Sequence, residues 1–218
     1  MTQNDDRYLE ALREDAADAR LLMSNPRKSE RERMVVRALL RCLGVAFADT
    51  EIAAGSEEPI DVEFRAARFQ IRDIVGGRKR GEEWAERERL YRSVKTFADV
   101  ITPFTETTAI PFDRAAEMVV DALTEKSRRC GPRVCGTLDA VTYLDLGGSH
   151  LYPSEARGVP EALAELRRQG WRSVSMLAVP YGVVLSASAD APDFLHKRLG
   201  LACSEWPGPD GWFEPKDE

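Results

Sequence analysis

Between residues 59 and 75 the chain adopts a period of two, twice in succession. Ile60, Val62 and Phe64 alternate with Asp61 and Glu63, and Phe69 and Ile71 then alternate with Gln70 and Arg72. This is the pattern of half-buried strands, whose side chains point to opposite faces in turn. The runs 59–64 and 68–75 are close enough for a hairpin with its short connection at Ala66-Ala67, and Gly76-Gly77 ends it. A lone hairpin is marginal in water. The rest of the chain must therefore supply more sheet and a cover for its apolar face.

The flanking sequence offers both. Tyr8, Leu9, Leu12, Ala16, Ala19 and Leu22 lie at helical spacing, and Asn25-Pro26 stops that helix. Ser29 with Glu32 makes a capping-box pattern ahead of Met34, Val35, Ala38, Leu39 and Cys42, closed by Gly44. A short strand is expected at 45–47, with a polar turn at 54–58. Helices are expected over 84–101, from an N-cap at Asp113 to 130, over 160–169 and over 192–200. Further strands are expected at 140–144, 173–179 and 183–186. The order implies one mixed α/β domain over residues 26–200, with a helical extension at 1–25 and an irregular aromatic arm at 201–218.

Composition narrows the function classes. The 218 residues carry a net charge of −6, but residues 65–95 hold ten bases against five acids, which leaves the remainder at −11. An acidic chain is a poor general coat for nucleic acid, whereas a local basic window could steer it. Four cysteines without a CxxC pair and two histidines argue against a disulfide scaffold or a structural zinc. Cys130 and Cys135 read as buried thiols, His150 as a loop residue and His196 as a helix-end charge. No apolar run reaches the length of a membrane span, and the opening lacks a signal-peptide pattern. The expectation is a reduced, cytoplasmic protein without membrane contact.

If Arg65 stands opposite Arg68, then Glu63 faces Gln70, Asp61 faces Arg72, and all four share one side of the sheet. A hard divalent cation takes oxygen ligands, for which Asp61, Glu63 and Gln70 are candidates. Arg72 could hold a phosphate, and Glu32 could add a carboxylate from the preceding helix. Arg78, Lys79 and Arg80, between Gly77 and Gly81, could clamp a phosphate backbone. The same residues admit a plainer reading: a cross-strand ion pair of Asp61 with Arg72, a polar pair of Glu63 with Gln70, and Glu32 as capping partner of Ser29.

The segments Glu-Glu-Pro-Ile-Asp-Val-Glu-Phe (57–64) and Phe-Gln-Ile-Arg-Asp-Ile (69–74), following a helix that carries Glu32, resemble the PD-(D/E)XK nuclease superfamily. They are similar in particular to a small bacterial family of uncharacterised proteins described as endonucleases. The resemblance implies a restriction-endonuclease-like fold, a mixed sheet flanked by helices, and a Mg²⁺-dependent site. Carried over, Asp61 is the first metal ligand, Gln70 the second, Arg72 the basic residue and Glu32 the helper. Here Ile60 separates Pro59 from Asp61, Gln70 stands where the family has an acid, and Arg72 stands where it has Lys. Arginine stays protonated and cannot be a general base. Two functions follow: an endonuclease on nucleic acid, DNA ahead of RNA, with an altered site, or a non-catalytic relative that binds nucleic acid or protein. A homodimer through the N-terminal helix and the aromatic tail is a third reading.

Overall fold

The computed structural model describes residues 3–75, 80–100, 108–145, 150–152, 160–200 and 202–203. The chain opens with helices α1 (Gln3–Leu22) and α2 (Lys28–Cys42), then strands β1 (Ile52–Ala54), β2 (Val62–Phe64) and β3 (Ala67–Val75). Helix α3 (Arg80–Ser93), strand β4 (Ala109–Pro111), helices α4 (Phe112–Cys130) and α5 (Pro132–Cys135) and strand β5 (Asp139–Asp145) follow. The second half adds β6 (His150–Tyr152), α6 (Pro160–Arg168), β7 (Ser173–Ala178), β8 (Tyr181–Ala187), α7 (Asp193–His196) and β9 (Ala202–Cys203).

Seven strands form one mixed sheet in the order β1-β2-β3-β5-β7-β8-β9. β3, β5 and β7 run parallel at its centre, with antiparallel partners on both sides. Central parallel strands are covered on both faces, and β7, whose residues are all apolar or small, is buried throughout. Period two then divides them between two cores. Val141, Leu177 and Val184 pack with α2 and Leu195 of α7. Ala140, Val174, Met176 and Leu185 pack with α4 and with Leu166 of α6. Each fully buried Leu or Val contributes roughly 1.5–3 kcal/mol. The close seat of α2 depends on Gly182, where a Cβ would lie 2.7 Å from the Cys42 Cβ.

Several local expectations change. Residues 45–47 are not a strand, because Val45 N–H is spent on Leu40 O at 2.9 Å. With Gly44 at φ 61° this makes the six-to-one bond of a Schellman cap. The capping box at Ser29 does not form, since α2 begins at Lys28 with Arg27 as its N-cap. Helix α4 likewise has Pro111, not Asp113, at its N-cap. The expected helix at 192–200 is α7 alone, and Gly200 N–H turns back to Val184 O. β1, the small parallel pair β4–β6, and the pairing of Ala202–Cys203 with β8 had no sequence signal. The rest of the expected C-terminal arm lies outside the described residues.

Candidate functional site

The β2–β3 hairpin turns on Arg65-Ala66, with Arg65 at φ 51°. Phe64 pairs with Ala67, Glu63 with Arg68 and Val62 with Phe69. The register is therefore two residues from the expected one, and Glu63 faces Arg68 instead of Gln70. Because a shift of two keeps every side chain on its face, the polar face survives while the partners change. The expected Asp61–Arg72 ion pair does not form. Asp61 lies just before the first residue of β2, and its carboxylate continues that strand's role by accepting the Ile71 N–H at 2.8 Å. Gln70 Nε2 donates to the same oxygen, Asp61 Oδ2.

What fixes Asp61 is a tight loop. Gly55 N–H donates to Asp61 O, Asp61 N–H donates to Phe69 O, and Ile60 N–H donates to Glu57 O, each at 2.9 Å. A Cβ on Gly55 would stand 1.9 Å from Ile60 O, so only glycine lets the chain fold back this closely.

The other Asp61 oxygen faces α2. Lys28 Nζ lies 3.3 Å from Asp61 Oδ1 and 3.1 Å from Glu32 Oε1, joining the two acids across one ammonium. The spacing of Lys28 and Glu32 is one helical turn, i to i+4. The acids are 11% and 12% exposed and the lysine 61%, so two sheltered carboxylates are held together by a cation on the solvent side. Burial and the Asp61 charge raise the Glu32 carboxyl above the usual range. The hydrogen bond to Glu32 and the charge of Asp61 raise the Lys28 ammonium in turn. Gln70 is 6% exposed, and its Oε1 is buried with no hydrogen-bond partner.

Of the residues proposed from sequence, Glu32, Asp61 and Gln70 come together. Lys28 joins them and was missed, although its spacing to Glu32 was readable. Glu63 does not join. It accepts from Ser56 Oγ at 2.7 Å. Arg72 is exposed and borders a cavity of about 400 Å³ shared with Lys28 and Glu32. Arg78 and Lys79 lie outside the described residues, and the Arg80 side chain is likewise not described. Elsewhere in the basic window arginines are spent on ion pairs: Arg65 with Glu51, Arg87 with Glu83 and Arg92 with Glu88.

Two carboxylates and an amide oxygen suit a hard cation that keeps some of its own water. The orphaned Gln70 Oε1 is the observation that makes the donor set fit, since a buried carbonyl without a partner is costly. Among the described residues no group of three or more His, Cys, Asp or Glu could hold a metal, so the amide would have to take part.

A second carboxylate centre lies on the other side of β3. Asp139 is fully buried and accepts from Arg172 Nε at 3.1 Å, Arg172 Nη2, Ser173 Oγ at 2.7 Å and Arg68 N–H at 3.0 Å. Arg172 also donates to Ala66 O, tying the hairpin turn to β7.

Comparison with known proteins gives one structure and one family. The chain is similar to a solved structure of a protein of unknown function from Pseudomonas aeruginosa strain PAO1, described as "Monooxygenase Superfamily". The two are 26% identical over 94% of this chain and 97% of that one, with a TM-score of 0.64. No curated protein matches. A family model with the description "Putative endonuclease, protein of unknown function (DUF1780)" matches residues 4–206, and the chain belongs to that family.

Proposed function

We propose that the protein is a divalent-metal-dependent phosphodiesterase that cuts nucleic acid at the Glu32–Asp61 cleft, on a restriction-endonuclease-like fold. The observation that carries this reading is the meeting of Glu32, Asp61, Gln70 and Lys28 beside a cavity. The family's description as endonucleases supports it. So does the order of helix, hairpin and central parallel strand that brings α2 over the end of β2.

Asp61 and the Gln70 oxygen would hold Mg²⁺. When bound, Mg²⁺ polarises a phosphoryl oxygen and makes a nearby water more acidic. The remaining work falls to the chain. Lys28 keeps its proton and can present positive charge to the phosphate, where negative charge grows during displacement. Being exposed, it can also swing outward and leave the acids to a metal. Glu32, with its carboxyl raised by burial and the Asp61 charge, can accept a proton at Oε1 or Oε2. Arg72 supplies a fixed charge at the cavity edge and never acts as base.

A binding protein that has kept the fold without the chemistry is the second reading, favoured by Lys28, which already bridges the two acids. Cleavage assays on single- and double-stranded DNA and RNA, with Mg²⁺, Mn²⁺ or Ca²⁺, separate the two. The phosphodiesterase reading expects cleavage with Mg²⁺ or Mn²⁺ that EDTA abolishes and Glu32→Gln reduces. A nuclease-free preparation that cuts none of the substrates would overturn it.

A further inference from the structure

The cavity beside Glu32 extends beyond what two acids need. Its floor is a row of directly paired residues on three parallel strands: Asp73 beside Tyr143, and Tyr143 beside Leu177. Two strand spacings make that row roughly 10 Å across. Its roof is Met34 and Ala38 of α2 with Met23 from the end of α1. Arg31 holds that roof in place by donating from Nη1 to Leu22 O and Ser24 O, both at 2.6 Å. Lys28, Glu32 and Arg72 stand at the border. The result is a partly apolar cavity lined by an aromatic from the sheet, two thioethers from the helical side and charged groups at its border.

Resting on the phosphodiesterase reading, we propose that this slot takes one unstacked nucleobase of a single-stranded nucleic acid and thereby sets the substrate class. A base entering it would lie between the sheet and α2. Tyr143, which lines the cavity, offers it aromatic contact, and methionine sulfurs pack well against aromatic rings. Asp73 at one end of the floor can accept from an exocyclic amine. The phosphate of the same nucleotide then lies toward Lys28 and Arg72, next to Glu32 and Asp61. A base that is paired and stacked in a duplex cannot enter, so duplex must first open, at a cost in free energy.

The test uses the full chain and a short single-stranded DNA carrying 2-aminopurine, whose emission changes when the base leaves its stack. Binding is read in Ca²⁺ and cleavage separately in Mg²⁺ or Mn²⁺. Saturable emission change is expected with the single strand, and at least about tenfold weaker binding when an abasic residue replaces the probe position or when Met34→Trp fills the slot. The abasic arm needs no protein variant, so it stands even where Met34→Trp fails to fold. Silent emission, or equal affinity for abasic and natural strands, overturns the slot. A protein that cuts single strand and duplex alike with a silent probe loses the slot and keeps the nuclease reading. One that shows the emission change and cuts nothing keeps the slot and loses the nuclease reading.

Discussion

Asp139 and Asp61 both grip β3, one from each side, and the chain treats them in opposite ways. Asp139 receives a two-pronged guanidinium, a hydroxyl and a backbone N–H, and no solvent reaches it. Asp61 receives a backbone N–H and an amide, but its remaining oxygen shares a single exposed lysine with Glu32. The difference is one of completeness. A carboxylate with every acceptor direction filled by fixed donors is a structural tie, whereas two acids sharing one removable cation can exchange it for another cation or a proton.

The largest effect expected from this contrast is on stability at Asp139. Asp139→Asn leaves Arg172 sheltered without its counter-charge, and denaturant titration should show a loss of about 3–5 kcal/mol. A loss no greater than that of Asp61→Asn would remove the distinction. Next comes Gly55, which touches no substrate and acts by placing Asp61. Gly55→Val should lower kcat by about a hundredfold through a displacement of roughly 1 Å at the acid. Because this is a positioning effect, KM should change less than kcat. A fall in kcat that only tracks the folded fraction read by circular dichroism would point to general unfolding.

Glu32 gives a pH signature. Its folded carboxyl is raised, so the folded state binds the proton more tightly than the unfolded chain does. Stability from this group therefore falls as pH rises from the ordinary glutamate range through the higher folded value, and the cost is fully present above it. Glu32→Gln should then melt at or above wild type at pH 8, with the gap closing toward pH 4. A variant that melts below wild type throughout would show that Glu32 is a structural tie like Asp139. The smallest effect concerns the basic run at 78–80. Replacing Arg78, Lys79 and Arg80 together by Ala should lower the salt slope of nucleic-acid binding by about 1–3 units, and an unchanged slope would take these residues out of the interface.

Much of this was legible, for identifiable reasons. The β2–β3 hairpin announced itself through strict alternation, and the central strands through their apolar runs. The register did not, because a positive φ on Arg65 is not something its residue type suggests. Asp61, Gln70 and Glu32 could be singled out from local pattern, since hairpin faces and helix order place them near one another. Lys28 carries no such signal, because Ser29 and Glu32 match a capping box, whereas the helix begins two residues earlier with Arg27 as its N-cap. The tie of Asp139 to Arg172 spans 33 positions and belongs to no motif, so only the pairing of β5 with β7 reveals it. Gly55 looks in sequence like an ordinary turn residue, and the need for it comes from the backbone packed against it.

The central claim is that the Asp61 group is a site for chemistry and not a second tie. Its most direct measurement sets Asp61→Asn beside wild type in Mg²⁺- or Mn²⁺-dependent cleavage and in thermal melting. Asparagine keeps an acceptor for Ile71 N–H, so the melt should move by no more than about 1 kcal/mol of stability, while cleavage falls by at least about a hundredfold. Cleavage retained at the wild-type rate, with stability lost on the scale expected for Asp139→Asn, would contradict the account.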